Sequence, residues 1–350
     1  MASTSSRTLC TPAFTARHDG IILDSGLSNS STTSSNTTRP PIRKAVLIGI
    51  NYYGDERHQV LGCINNVANM SALLQSRLGY KSENMVILTE LTSPCSESLP
   101  IARNILKAMH WLVMDAQPGD TLFFYYSGHG SFSADGADRD EADGYDECIC
   151  PLDAHVSGLI VDDLMHDIMV KPLKKGVRLT AMFDCCHSGS ALDLPYTYDV
   201  SGKQTHISTV SSVMENLRDA VAAYPTGDML RILSNGKKIF KRLKTGRKAE
   251  YMAFRTKASE AEVIQWSGSK DSQYGMNFMR GGQWHGVMTG AFIQAYLKNP
   301  HQSYAELLDS TRKSIRESLG SISHLVITQI PQLSCSHSLE YTANTIHLDH

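Results

Sequence analysis

From Lys44 onward, short unbroken apolar runs alternate with longer stretches in which apolar residues return every three or four positions. The run "KAVLIGI" at 44–50 is rich in branched residues and stops at Asn51, the pattern of a strand covered on both faces. After Gly62, the residues Val67, Met70, Leu74 and Leu78 fall on one helical stripe, and Met85–Thr89 reads as a second strand. Ile101, Ile105, Met109, Leu112 and Ala116 mark another helix, which opens at Pro100. "TLFFYY" at 121–126 predicts a third strand, Asp162 and Asp163 the start of a short helix, 178–183 a fourth strand and 263–267 a fifth. Near the end, Ser303 and Glu306 have capping-box spacing ahead of Leu308, Thr311, Ile315 and Leu319, and a last strand is expected over 332–336. Strand and helix thus alternate. The pattern predicts an α/β sandwich around a mainly parallel sheet, with its ligand site beyond the carboxyl ends of the strands.

Two segments break the alternation. Residues 1–42 are crowded with Ser and Thr and close on Pro40-Pro41, a composition too poor in apolar residues to fold, so a disordered arm is expected. Between 199 and 262 the periodicity dissolves, and Lys237, Lys238, Lys241, Arg242, Lys244, Arg247 and Lys248 crowd one stretch, read as an exposed linker. At 350 residues and 41% hydrophobic content the chain can still build a sizeable core. Its net charge of −2 gives no global attraction to nucleic acid or to an anionic membrane. No apolar run approaches the roughly 20 residues that cross a bilayer, and the N-terminus lacks the order of a secretory signal. A soluble cytoplasmic protein is expected, with nuclear entry left open. The eight cysteines are scattered rather than arranged as a disulfide framework. Neither Cys148 with Cys150 nor Cys185-Cys186-His187 has the paired spacing of a zinc site.

Two of the predicted strands run into reactive residues. The third leads into Ser127-Gly128-His129-Gly130, and the fourth into Asp184-Cys185-Cys186-His187-Ser188-Gly189. Both motifs open onto one cleft if the strands lie in one parallel sheet. A cysteine nucleophile needs a base for its proton and donors for the tetrahedral oxyanion, and glycines beside such residues admit backbone N–H groups to the substrate. His187 neighbours the thiols, but successive side chains leaving a strand point to opposite sides, so His129 is the better base for Cys186. The same alternation allows only one of Cys185 and Cys186 to face His129. A disulfide between the two is disfavoured, because consecutive Cα atoms lie ~3.8 Å apart.

These motifs, "YYSGHG" and "DCCHSGS", together with "LIGINYY", "GYDE", "IVDD", "GVRLTAMFD", "ALDLPY", "VIQWSGSKD" and "PQLSCSH", make the chain resemble the type I metacaspases, caspase-like cysteine peptidases, in particular the fungal kind. The likeness spans about residues 44–340. It implies a caspase-like α/β/α sandwich over 43–345, with a large-subunit-like part at 43–198, the basic linker at 199–262 and a small-subunit-like part at 263–345. It also implies that Cys186 is the nucleophile and His129 the base, with the oxyanion held by the N–H groups of Gly130 and Cys186. The expected activity is that of a cysteine endopeptidase made as a zymogen, a family associated with programmed cell death. The alternative is an interaction or proteostasis protein on the same scaffold.

The resemblance further implies calcium activation, with Asp146, Asp162, Asp163 and Asp193 matching the family's ligands. The residues alone exclude an EF-hand, since a loop starting at Asp138 would carry Asp rather than Gly at its sixth position. The family cuts after Arg or Lys, and its specificity pocket maps to Cys63, Asn66, Ser127 and Asp184. Here the sequence departs from the pattern, because Cys63-Ile64-Asn65-Asn66 carries an amide where the family has a carboxylate. The implied partners are protein substrates with Arg or Lys at the cleaved position, with no nucleic acid or membrane, and a monomer is expected. The basic linker then has two readings, a solvated loop or the enzyme's own cleavage site.

Overall fold

The apolar runs form the strands they predict. In the computed structural model the described residues are 39–91, 96–134, 145–185, 191–198, 204–206, 259–268, 277–280, 283–319 and 331–337. The chain separates into two units, Met1–Pro40 and Pro41–His350, and of the first only Arg39 and Pro40 are described. In the second, β1 (Arg43–Gly49), α1 (Cys63–Arg77), β2 (Met85–Thr89), α2 (Ala102–Val113) and β3 (Thr121–Ser127) come first. There follow β4 (Gly130–Ala134), β5 (Tyr145–Ile149), α3 (Ala154–Ser157), β6 (Ile160–Val161), α4 (Asp162–Met169) and β7 (Arg178–Asp184). The remainder holds β8 (Tyr196–Tyr198), β9 (Gln204–His206), β10 (Glu262–Ser267), β11 (Asn277–Arg280), β12 (Gln283–Gly286), α5 (Val287–Lys298), α6 (Tyr304–Leu319) and β13 (Gln332–Cys335).

Eight strands make the central sheet, in the order β2-β1-β3-β7-β10-β13-β8-β9. The first five are parallel, and β13, β8 and β9 extend the sheet antiparallel. Alternate residues of each strand feed opposite cores, which is why the runs are apolar throughout. Val46, Ile48, Phe124, Tyr126 and Phe183 pack with Ile105 and Met109 of α2 and with Met165 and Met169 of α4. Ala45, Leu47, Phe123, Tyr125 and Met182 pack on the other face with Val67 and Met70 of α1, Phe292 of α5 and Leu307 of α6. The result is the expected α/β/α sandwich. The expected capping box is present too: Glu306 N–H donates to Ser303 Oγ at 3.2 Å while the Glu306 carboxylate accepts the Ser303 N–H at 2.7 Å.

The periodicity leaves some elements unpredicted. Helix α2 ends at Val113, before the Ala116 that the stripe includes, and Asp115 turns the chain with φ +59°. Helix α5 gave no stripe because it is apolar on most of its circumference, in keeping with its buried Val287, Met288, Ala291, Phe292 and Ala295. The small antiparallel sheet β4-β5-β6 and the β11-β12 hairpin were not expected either. Within the stretch read as linker, Gln204–His206 pairs with β8 at the sheet edge, whereas the basic run at 237–248 lies outside the described residues. Among the described residues no helix is long and apolar enough to cross a membrane.

Candidate active site

Strands β3 and β7 are neighbours, and their register sets the site. Thr121 pairs with Arg178 and Ser127 with Asp184, an offset of 57 residues throughout (178 − 121 and 184 − 127). His129 and Cys186 each lie two residues beyond the last paired positions and differ by the same 57 (186 − 129). The spacing seen in the sequence is therefore the register of two adjacent parallel strands. Cys186 and the residues to Ser190 lie outside the described residues. Cys185, the last described residue of that segment, is buried in the core that faces α2 and α4.

His129 is half-buried, and its Nε2 lies 2.6 Å from the main-chain oxygen of His58. A carbonyl only accepts, so Nε2 carries a proton, and in the neutral ring the free lone pair is on Nδ1. When deprotonated, the ring is thus in the tautomer of a base acting through Nδ1. The ring lies against that of Tyr52, with centroids 4.7 Å apart. Gly130 opens β4 opposite Ile149.

On the other side of the strand ends, all four expected pocket residues come together. Asn66 Nδ2 donates to Ser127 Oγ at 3.1 Å and to Asp184 Oδ2 at 3.3 Å. Its Oδ1 accepts the N–H of Gly286 at 2.9 Å. Asp184 Oδ2 also accepts the N–H and the hydroxyl of Thr289, at 3.2 and 2.5 Å, and Tyr125 shares that hydroxyl at 2.6 Å. Burial pushes the Asp184 carboxyl above its usual range, an effect that the two Thr289 bonds partly offset. Burial likewise pushes the Cys63 thiol up to about 12; the bond to Ser127 works against this and the nearby Asp184 adds to it. Cys63 is therefore an uncharged wall, and Asp184 is the one acidic side chain of this group.

Gly286 and Thr289 were missed by the sequence reading. A Cβ at Gly286 would sit 2.3 Å from Asp184 Oδ2 and 2.5 Å from Asn66 Nδ2, so only glycine lets the start of α5 approach the two. The available signal was the glycine in "WHGVMTG" before an apolar run, but its partners lie more than a hundred residues upstream.

Three of the four expected metal ligands converge. Asp162, Asp163 and Asp193 each offer a carboxylate oxygen, all within 4.8 Å of one another. The first two begin α4, where the helix dipole favours carboxylates. Asp162 is buried and accepts the N–H of Glu147 and of Asp163, each at 2.8 Å. The Glu147 contact brings the backbone of its neighbour Asp146 alongside; the side chain of Asp146 lies outside the description. Asp193 is buried with φ +49°, and Leu192 before it is held from two sides. Leu192 N–H donates to Gln265 Oε1 at 2.7 Å and its carbonyl lies 2.9 Å from His166 Nδ1. Oxygen donors suit a hard cation such as calcium. Three like charges this close repel by about 3.5 kcal/mol or more per pair at an effective dielectric near 20, a cost that a bound dication would offset.

Comparison with known proteins agrees with this architecture. The family model described as "Metacaspase, peptidase C14 domain" matches residues 43–195. Metacaspase-1A of Aspergillus fumigatus is 51% identical over 299 residues, covering 85% of this chain and 70% of that protein. Metacaspase-1A of Aspergillus niger is 51% identical over 298 residues, with 85% and 71% covered. Metacaspase-1 of Emericella nidulans is 50% identical over 299 residues, again with 85% and 71% covered. A solved protein from Geobacter sulfurreducens shares the fold at a TM-score of 0.50 and 18% identity, covering 87% of this chain and 97% of its own.

Proposed function

The chain belongs to the metacaspase family of cysteine peptidases, and on that premise we propose that it is a calcium-activated endopeptidase cutting proteins after Arg or Lys. The observation that carries the reading is the 57-residue offset of the β3–β7 register, which His129 and Cys186 share in sequence, with a His129 proton held on Nε2.

In this mechanism the Cys186 thiol gives its proton to His129 Nδ1, and the thiolate attacks the peptide carbonyl carbon, forming a C–S bond and an oxyanion. The N–H groups of Gly130 and Cys186 hold the oxyanion. Collapse breaks the C–N bond while Nδ1 returns the proton to the leaving amine. Water then attacks the thioester, giving its proton to Nδ1, which passes it back to the departing sulfur as the acid forms. His58 C=O stabilises the imidazolium through Nε2–H at each protonated stage.

Asp184 supplies the charge that selects a basic side chain at the cleaved position, in a pocket walled by Cys63, Asn66 and Ser127. The pocket holds one carboxylate where the family pattern has two, so selectivity for Arg or Lys is weaker. Asp162, Asp163 and Asp193, together with the Asp146 that the resemblance implies as a fourth ligand, would hold a calcium ion, and the ion would supply positive charge among these carboxylates and so order the loop following the nucleophile. The basic linker at 237–248 is the substrate within the chain, cut by the protein itself.

The amide at Asn66 also favours a second reading, an interaction protein with weak catalysis. Turnover of Arg, Lys and Asp reporter peptides by wild type and Cys186→Ala, with and without calcium, separates the two. Loss of Arg and Lys turnover in the variant supports the peptidase, and equal turnover in both proteins refutes it.

A further inference from the structure

A carbonyl is a weak orienting partner for a catalytic imidazole. In a Ser-His-Asp arrangement a buried carboxylate fixes the ring. Here the partner is the His58 oxygen, carried on an exposed turn over 55–58. Something else has to hold His129, and the backbone around it shows what does.

Tyr52 is buried and has φ +56°, a left-handed conformation that residues with a Cβ avoid. Glu90, just beyond β2, holds it there. The Glu90 carboxylate accepts three successive N–H groups, from Asn51 at 2.5 Å, Tyr52 at 3.0 Å and Tyr53 at 2.8 Å. The tyrosine then reaches across to the base. Its hydroxyl accepts the His129 N–H at 3.0 Å and donates to the Cys150 carbonyl at 2.7 Å. The Tyr126 hydroxyl, 3.2 Å away, donates to the His129 carbonyl at 2.7 Å and accepts the Cys150 N–H at 3.3 Å.

Four hydrogen bonds therefore close a ring through two phenols and the peptide groups of His129 and Cys150. Each phenol has one proton, and the ring uses both. Burial pushes both phenols well above their ordinary range, so they stay protonated at any working pH. The ring also explains the first glycine of Ser127-Gly128-His129-Gly130: a Cβ at Gly128 would lie 2.6 Å from the Tyr126 oxygen and 3.1 Å from that of Tyr52.

We propose that Tyr52 and Tyr126 are positioning residues for His129, and that Glu90 acts through Tyr52: together they fix the main chain of the base so that Nε2 stays on the His58 carbonyl and Nδ1 keeps one orientation. The proposal rests on the reading of His129 as the base. It assigns a purpose to "INYY" that the chemistry of the dyad alone leaves without one.

The test is the rate at which iodoacetamide alkylates the active-site thiol as a function of pH, with Cys186→Ala as the blank and peptide turnover measured in parallel. The rate at neutral pH reports the thiolate–imidazolium pair. Tyr52→Phe keeps the ring against that of His129 and removes only the hydroxyl. Its alkylation rate at pH 7 is expected to fall about tenfold and the acid limb to rise by about one pH unit toward that of a free thiol, ~8.5. Peptide kcat falls with KM changed less than about twofold. Glu90→Gln, at a half-buried site, is expected to move both readouts the same way by about threefold. A purely structural role would lower the melting temperature and leave both profiles unmoved; that result in both variants overturns the proposal. Should Tyr52→Phe fail to fold, an unchanged Glu90→Gln profile overturns it. His129→Ala separates the layers, because wild-type alkylation in that variant refutes the base itself and the clamp with it.

Discussion

Asp184 caps a helix whose sequence begins 103 residues after it. Its Oδ2 accepts both the N–H and the hydroxyl of Thr289, at 3.2 and 2.5 Å, in the first turn of α5, whose own N-cap, Gly286, has no side chain to offer. The same carboxylate is the charge that the proposed function gives to recognition of the P1 cation. Structure and specificity therefore draw on one group, and they separate in Asp184→Asn. The amide retains an acceptor for Thr289 and removes a buried charge. Cleavage after Arg is expected to fall ten- to a hundredfold in kcat/KM, the equivalent of about 1.5–3 kcal/mol for a charged hydrogen bond, with the melting temperature at pH 7 not lowered. A matched loss of stability and activity would mean that Asp184 serves the helix alone.

The direction of the Asp184 shift fixes a pH dependence. Burial raises its pKa, so the group takes up a proton at higher pH than a free aspartate, near 3.9. The folded state binds that proton more readily than the unfolded one, so this group's stabilising contribution is present below the unfolded pKa and is lost as pH rises through the folded value. Substrate binding runs the other way. KM for an Arg peptide is expected to rise as pH falls toward the raised pKa, whereas KM for a peptide with a neutral residue at that position stays flat. Parallel KM profiles for the two peptides would remove Asp184 from the contact.

Asn66→Asp restores the family's second carboxylate beside Asp184, at what is now a 3.3 Å contact. The Gly286 N–H keeps its acceptor. Two carboxylates at that distance repel in the empty pocket and both attract a guanidinium. The variant is expected to melt lower without substrate and to raise kcat/KM on Arg peptides by about tenfold, or ~1.4 kcal/mol. An unchanged kcat/KM would place Asn66 outside substrate recognition.

Calcium binding is measurable apart from activity. Mass action on the folded state predicts a melting temperature that rises with calcium concentration, by about 2.7 kcal/mol of added stability at a hundred times Kd. Asp163→Asn and Asp193→Asn are each expected to shift the calcium midpoint at least tenfold. A calcium-independent melting curve in wild type would leave the carboxylates as a helix-terminal and loop cluster only.

Self-processing has its own readout. Intact mass after calcium addition is expected to show cuts following Lys or Arg between 203 and 257 in wild type and none in Cys186→Ala. An uncut chain in both would return the basic stretch to a solvated loop.

Where the physics was local, the sequence made it legible. The parallel sheet followed from "KAVLIGI", "TLFFYY" and 178–183, and the 57-residue spacing of His129 and Cys186 anticipated a register that only the ladder explains. What escaped was long-range. Thr289 and Gly286 meet Asp184 and Asn66 through contacts spanning 105 and 220 residues, and α5 hides them because a helix apolar on most sides leaves no stripe. The glycine at 128 looked like room for a substrate N–H. The structure gives it instead to the Tyr52 and Tyr126 hydroxyls.

The most direct test of the account is cleavage of a peptide library varied at the P1 position by wild type, His129→Ala and Cys186→Ala, with calcium and with chelator. The expected result is calcium-dependent cleavage after Arg and Lys by wild type alone. Cleavage after Asp, or equal turnover by the Cys186→Ala variant, would contradict it.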